Sequence, residues 1–205
     1  MMTRTFVSLN ALLLALALPA SAGDALESPN VRRLGKTVVQ YKDDVVQVVV
    51  GYRYASGNLD QPWLLLDTYL MPAGNRPLSF QREDFSLLTP DGTRLNLPSQ
   101  RRFAEGLADV DRVRTLAAIE GDPLEGYFSR RDRVERIRFF VSPSEGAVRE
   151  ELVTSPREMA YGYLFFPAPM GSWEKGIYTL VVKNKDVDIK LPIPLGIEGE
   201  LERVK

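Results

Sequence analysis

An arginine-rich stretch at residues 130–138 holds the side chains with the clearest potential for chemistry. If this stretch is extended, Arg130, Arg136 and Arg138 share one face, because side chains alternate along a strand. Guanidinium groups form paired hydrogen bonds with carboxylate or phosphate oxygens, so such a face would bind an anionic group. The alternative is a solvated face whose arginines are neutralised by neighbouring acids. Nearby charges are Asp132, Glu135, Asp109 and Asp111, together with Arg101, Arg102, Arg112 and Arg114.

Trp173 is the second candidate binding residue. It lies in the segment Met-Gly-Ser-Trp-Glu, between two apolar stretches. A tryptophan in a connection can be the anchor of a binding surface. Equally, it can fold back over the end of the domain, and the sequence does not separate these two interpretations.

Acidic pairs are the remaining candidates for chemistry. A glycosidase needs two carboxyl groups facing each other across a cleft. The pairs in this chain are Asp43 with Asp44, Glu83 with Asp84, Glu150 with Glu151, and Asp186 with Asp188. Adjacent residues on a strand point to opposite faces, and lysines flank the last pair. Turn capping explains these acids more simply, so we predict no catalytic residue.

The amino-acid composition excludes several kinds of protein. The 205 residues include no His and no Cys, which rules out Ser-His-Asp and Cys-His nucleophiles and removes the preferred ligands of zinc and copper. We therefore expect no cofactor and no metal site. With 26 Lys and Arg against 27 Asp and Glu, the net charge of −1 does not favour binding to nucleic acid.

The first 22 residues have the pattern of a secretory signal peptide. Arg4 precedes an apolar run at residues 6–18, and Ala20-Ser21-Ala22 forms a cleavage site. The pattern predicts cleavage after Ala22 and a periplasmic or secreted protein without a membrane span in the mature chain. An uncleaved anchor helix is the alternative.

Most of the remaining chain has the period-two pattern of strands. The predicted strands are residues 44–54, 63–71, 134–141 and 147–153, a hairpin at 84–97, and a central hairpin at 160–182 that is apolar on both faces. A last strand at residues 186–195 carries Pro192 and Pro194. These prolines lack the backbone donor of a sheet ladder, so this strand is predicted at an edge.

Residues 99–133 break the strand rhythm and predict a short helical insertion. Ser99 is the expected cap of a first helix that ends at Gly106, and Asp109 that of a second helix that stops at Gly121. The apolar stripe comprises Leu107, Val110, Val113 and Ala117, widened by Leu116 and Ile119. Such a helix either closes an open end of the domain or carries an added site.

The order of these segments resembles the immunoglobulin-like modules of small exported bacterial proteins of unknown function. The shared features are a long alternating strand at residues 45–54, the hairpin DFSLLTPDGTRL, and a late pair GYLFFPAP and GIYTLVV. The resemblance covers most of the mature chain outside residues 99–133. It implies an antiparallel, immunoglobulin-like β-sandwich, an all-β fold, in a single domain at residues 23–205. It implies no catalytic residue.

These observations favour a non-enzymatic, exported binding or interaction module of the bacterial cell envelope. Its partner would be an envelope protein or an anionic envelope component. A carboxylate-dependent hydrolase of envelope saccharides is the alternative. A structural subunit that exchanges a strand at the proline-bearing edge is a third possibility.

Overall fold

The computed structural model describes residues 28–124, 127, 133–142, 146–156 and 158–197. Within them the chain is mostly β-strand, arranged in three sheets, with few helical segments. This agrees with the all-β class expected from the sequence. The signal peptide predicted at residues 1–22 and the side chain of Arg130 lie outside the described residues.

The largest sheet has six strands, and its spatial order differs from the order in the chain. The strands, from one edge to the other, are β1 (Val31–Arg33), β2 (Val38–Lys42), β3 (Val46–Gly51), β4 (Trp63–Pro72), β10 (Glu158–Pro167) and β8 (Arg133–Arg136). All neighbours are antiparallel except β8 and β10, which are parallel. The expectation of a wholly antiparallel fold is therefore wrong at this edge, which the arginine-rich stretch forms.

Two smaller sheets complete the fold. One has four strands in the order β12 (Asp188–Leu195), β11 (Gly176–Lys183), β6 (Phe85–Leu88) and β7 (Arg94–Asn96), and the other pairs β5 (Leu78–Gln81) with β9 (Glu151–Thr154). The hairpin predicted at residues 84–97 is confirmed by the pairing of β6 with β7. The edge position predicted for the proline-bearing strand is confirmed by β12.

One hydrophobic core joins all three sheets. Leu64, Leu66 and Leu164 of the six-stranded sheet, together with Leu87 and Leu180 of the four-stranded sheet, are fully or almost fully buried in it. The opposite, outer face of the six-stranded sheet has its own apolar cluster, in which Phe165 is buried. Leu164 and Phe165 are thus buried on opposite faces of β10, as the sequence predicted.

The central hairpin predicted at residues 160–182 is wrong. Its two strands, β10 and β11, pair with other strands in different sheets. The connection between them is tied instead to an earlier loop, because Ala168 N donates to Pro62 O at 2.9 Å and Trp173 N donates to Leu59 O at 2.7 Å. Apolar character on both faces showed that each strand is covered, but it did not identify the partner.

The strand predicted at residues 44–54 ends earlier, at Gly51. A short helix, α1 (Arg53–Gly57), follows it. In a strand Tyr52 and Tyr54 would share one face, whereas here they are buried in different apolar clusters, which requires the chain to turn. The side chain of Asn58 donates to Tyr54 O at 2.8 Å and closes the helix.

Two further helices form the predicted insertion, α2 (Gln100–Glu105) and α3 (Leu107–Glu120). The Ser99 side chain accepts from Arg102 N and caps α2, as predicted, and Gly121 ends α3 with φ of 85°. Asp109 lies inside the first turn of α3 rather than capping it. No side-chain cap is needed there, because Val110 N donates to Gly106 O at 3.0 Å directly after α2.

The buried stripe of α3 is narrower than predicted. Val110 and Val113 are fully buried, but Leu116 and Ile119 are 39% and 76% exposed, so their predicted place in the stripe is wrong. At about 100° per residue, Ile119 lies opposite Val110 and almost opposite Ala117 on the helix. The same geometry brings Arg114 close to the buried stripe, and this residue reaches the site described next.

Candidate functional site

The parallel edge strand β8 positions two of the three predicted binding arginines. Arg136 pairs in register with Tyr161 of β10, and Ile137 N donates to Tyr161 O at 2.8 Å. Regular pairing ends at Arg136, earlier than the residue 141 predicted for this strand. The alternation nevertheless continues, since Ile137 is buried while Arg136 and Arg138 are exposed.

Gly162 explains how this edge comes so close to β10. A Cβ atom on Gly162 would stand 2.6 Å from Ile137 Cβ and 3.0 Å from Ile137 O. Only a residue without a side chain allows this approach. The close contact between Gly162 and Ile137 holds this edge of the chain against β10. Arg136 and Arg138 are the residues on either side of Ile137.

Arg136, Arg138 and Arg114 line one cavity of about 320 Å³, which we call the arginine cleft. Helix α3 contributes Arg114, whose guanidinium lies 3.6 Å from Asp111. Arg130, the third arginine of the predicted face, is not among the residues that the structure describes. The structure thus brings Arg136 and Arg138 together and adds Arg114, which the sequence had named only as a neighbour.

Of the acids expected to neutralise this cluster, Asp111 pairs with Arg114 of the cleft and Asp132 lies outside the described residues, while the other two have partners that do not line the cleft. Asp109 pairs with Arg112 at 3.2 Å, and Glu135 pairs with Arg149. In the described part of the chain, neither the Arg136 nor the Arg138 side chain has a hydrogen bond or an ion pair. Two exposed guanidinium groups are therefore without an acceptor among the described residues.

Aromatic rings form the rest of the cleft. Phe103 stacks on Phe140 at 4.9 Å between ring centroids, and Phe140 meets Phe165 edge to face at 6.4 Å. Tyr163 contacts Phe165 edge to face at 6.0 Å, and Tyr161 contacts Tyr163 at 5.9 Å. All five rings line the cleft. Helix α2 supplies Phe103, so the helical insertion contributes directly to this cavity.

A buried carboxyl group adjoins the tyrosine end of the cleft. Asp67 of β4 is 5% exposed and lies opposite Tyr163 in the strand register. Its pKa is raised from 3.8 to about 7, first by burial and second by the negative charge of Asp122, while Arg53 acts weakly in the opposite direction. Asp122 reaches this face because its segment packs on Gly51, where an added Cβ would stand 2.4 Å from Pro123 Cγ.

Two tyrosines connect this carboxyl group with the cleft. Tyr69 stacks on Tyr161 at 4.4 Å, and the Tyr161 hydroxyl donates to the Tyr163 hydroxyl at 3.4 Å. Burial is the main cause that raises the pKa of Tyr161 above its usual range. Asp67 was not among the residues predicted from the sequence, although an ionisable residue inside the apolar run at residues 63–71 was the available signal.

Several residues of the acidic pairs considered in the sequence form hydrogen bonds or ion pairs within the protein. Asp43 accepts hydrogen bonds from Val45 N and Val46 N, Asp84 accepts one from Gln81 N, and Asp188 pairs with Lys183. Glu83, Glu150 and Glu151 line a separate cavity of about 300 Å³. There a hydrogen bond from Arg82 lowers the pKa of Glu83, whereas a general acid needs a raised one.

Trp173 lies apart from the arginine cleft. Its side chain is 6% exposed and packs edge to face on Tyr178 at 5.7 Å, within the main core. Of the two interpretations of this residue, the geometry is that of a ring folded back over the domain. One edge still borders a groove of about 240 Å³ beside Met170, which is 84% exposed.

The comparison with known proteins found no match to this chain. No protein-family model, curated protein or solved structure matches the chain. Within the described ranges, no helix combines the length and apolar character that a membrane crossing requires.

Proposed function

We propose that this protein is a non-enzymatic, exported binding module of the cell envelope that holds an anionic group in the arginine cleft. The observation that carries the proposal is the pair of exposed guanidinium groups, Arg136 and Arg138, which have no partner among the described residues and border one cavity. Guanidinium groups form two parallel hydrogen bonds with carboxylate or phosphate oxygens. An anion between them would supply the missing acceptors.

The position of the two arginines also favours a binding role. Arg136 is the last residue of β8 and Arg138 follows Ile137, whose side chain is buried in the core, so their backbone is held in place. Side chains that start from a rigid backbone lose less freedom when a ligand binds. The partner would be an envelope protein or another envelope component that carries the anion.

The immunoglobulin-like architecture and the export of the chain are part of the proposal. Support for the architecture comes from two large sheets that share one core, and from the hairpin of β6 and β7. The parallel pairing of β8 and β10 departs from such a module and lies at the cleft. Support for export comes from the signal-peptide pattern of residues 1–22.

The test is calorimetric titration with inorganic phosphate of the parent and of the double variant Arg136→Ser/Arg138→Ser. A hydrogen bond to a charged group contributes about 1.5 kcal/mol or more, which is about tenfold in affinity. The double variant should therefore bind at least about tenfold more weakly. Binding to the parent should also weaken as the salt concentration rises, because exposed charges are screened.

The matched control is Arg101→Ser/Arg102→Ser, which removes the same charge from two exposed arginines. These residues pair with Glu105 on their own helix, at 3.1 and 3.7 Å. The control should bind phosphate like the parent. Equal loss in both double variants would mean that general positive charge, and not the cleft, attracts the anion.

A further inference from the structure

The side chains that line the arginine cleft restrict the chemical class of its ligand. The cleft combines three guanidinium groups with five aromatic rings. Among the described residues that line it, none has a carboxylate or a carboxamide side chain. Its two side-chain hydroxyls, on Tyr161 and Tyr163, are hydrogen-bonded to each other. The described side chains of the cleft can therefore donate to an anion, but they offer few acceptors to a ligand.

This imbalance argues against a sugar or a zwitterion. The hydroxyl groups of a sugar and the ammonium group of an amino acid are hydrogen-bond donors, and they lose free energy when they leave water without an acceptor. An aromatic ring without hydroxyl or ammonium groups has no hydrogen-bond donor to remove from water, so it does not lose this free energy. It gains instead from contact with aromatic faces and edges, of which Phe140, a half-buried ring between Phe103 and Phe165, is central.

Charge and volume restrict the ligand further. Arg136 and Arg138 together carry two positive charges without an acidic partner among the described residues, and such a pair matches a dianion better than a single carboxylate. The volume of about 320 Å³ lies at the lower end of the range for small-molecule sites. It has room for one ring and its anionic group.

We infer that the ligand of the arginine cleft is a small aromatic ring that bears a phosphate monoester. This inference rests on the proposed function and specifies its ligand. The phosphate lies between Arg136 and Arg138, and the ring lies against Phe140. Ligands with the same phosphate on a hydroxylated ring are disfavoured.

Three ligands that share the phosphate group test the inference by calorimetric titration of the purified full chain. Phenyl phosphate should bind at least tenfold more tightly than glucose 1-phosphate and than inorganic phosphate. The variant Phe140→Leu keeps an apolar side chain in the packing and removes the ring. It should lower the affinity for phenyl phosphate by a larger factor than the affinities for glucose 1-phosphate and inorganic phosphate.

The outcomes separate this inference from the proposed function. If the three ligands bind with similar affinity and Arg136→Ser/Arg138→Ser weakens all of them, the anion site stands and the aromatic class is wrong. Tighter binding of glucose 1-phosphate likewise overturns the aromatic class alone. If none of the three ligands depends on the two arginines, both proposals fail.

Discussion

Replacing Asp67 with asparagine should change how the stability of the fold depends on pH. The folded protein holds a proton on Asp67 up to pH about 7, because the pKa of this buried carboxyl is raised from 3.8 to about 7. The unfolded chain releases that proton near pH 4. Between these values the folded state binds more protons, so the free energy of unfolding falls as the pH rises from about 4 to about 7.

The size of the effect follows from the difference in pKa. A difference of about 3 pH units at about 1.4 kcal/mol each gives an upper value of about 4 kcal/mol, fully expressed above pH 7. An asparagine side chain has nearly the same shape as the aspartate and cannot ionise. The variant should therefore gain up to about 4 kcal/mol relative to the parent between pH 4 and pH 8. Any cost of placing its amide group there is the same at both values and cancels.

The assay is urea unfolding of the parent and Asp67→Asn at several values from pH 4 to pH 8. The matched control is Asp60→Asn, because Asp60 is an exposed aspartate. Its stability difference from the parent should stay nearly constant with pH. A constant difference for Asp67→Asn as well would show that Asp67 is solvated in the folded protein, and it would refute the burial argument.

Two further substitutions test the packing around the cleft. Phe165 is 4% exposed and contacts both Phe103 and Tyr163, so Phe165→Ala should lower the free energy of unfolding by about 3–5 kcal/mol in a denaturant titration, and a loss below about 1 kcal/mol would place the ring at the surface. Gly162→Ala should cost about 1–3 kcal/mol, because its Cβ would stand 2.6 Å from Ile137 Cβ, and it should also weaken phosphate binding by displacing the edge that carries Arg136. If Gly162→Ala is as stable as the parent, the close approach of this edge to β10 is wrong.

Local sequence patterns predicted which side chains face outward at the cleft. The alternation of Arg136 and Arg138 with buried Ile137 and Phe139 holds in the structure, even though regular strand pairing ends at Arg136. Charged side chains prefer water and apolar side chains prefer the interior. Because side chains alternate along an extended chain, the order of neighbouring residues is enough to predict which of them are exposed. The helix cap at Ser99 was also predictable from local sequence, because a serine before a helix can accept a hydrogen bond from a backbone N–H of the first turn.

Contacts between distant parts of the chain could not be predicted in this way. The environment of Asp67 depends on Asp122, which reaches it through the packing of Pro123 on Gly51. The pairing of β10 with β4 and of β11 with β6 likewise joins strands that are separated by long stretches of chain. Burial patterns show that a surface is covered, but the covering element is selected by the shape of the whole fold.

The most direct test of the central claim is an NMR titration of the arginine Nε–Hε signals with inorganic phosphate. We expect the signals of Arg136 and Arg138 to shift along one common saturation curve. The signal of Arg76, an exposed arginine remote from the cleft, should shift little and without saturation. If Arg136 and Arg138 instead respond like Arg76, the two arginines do not form a binding site and the proposed function is contradicted.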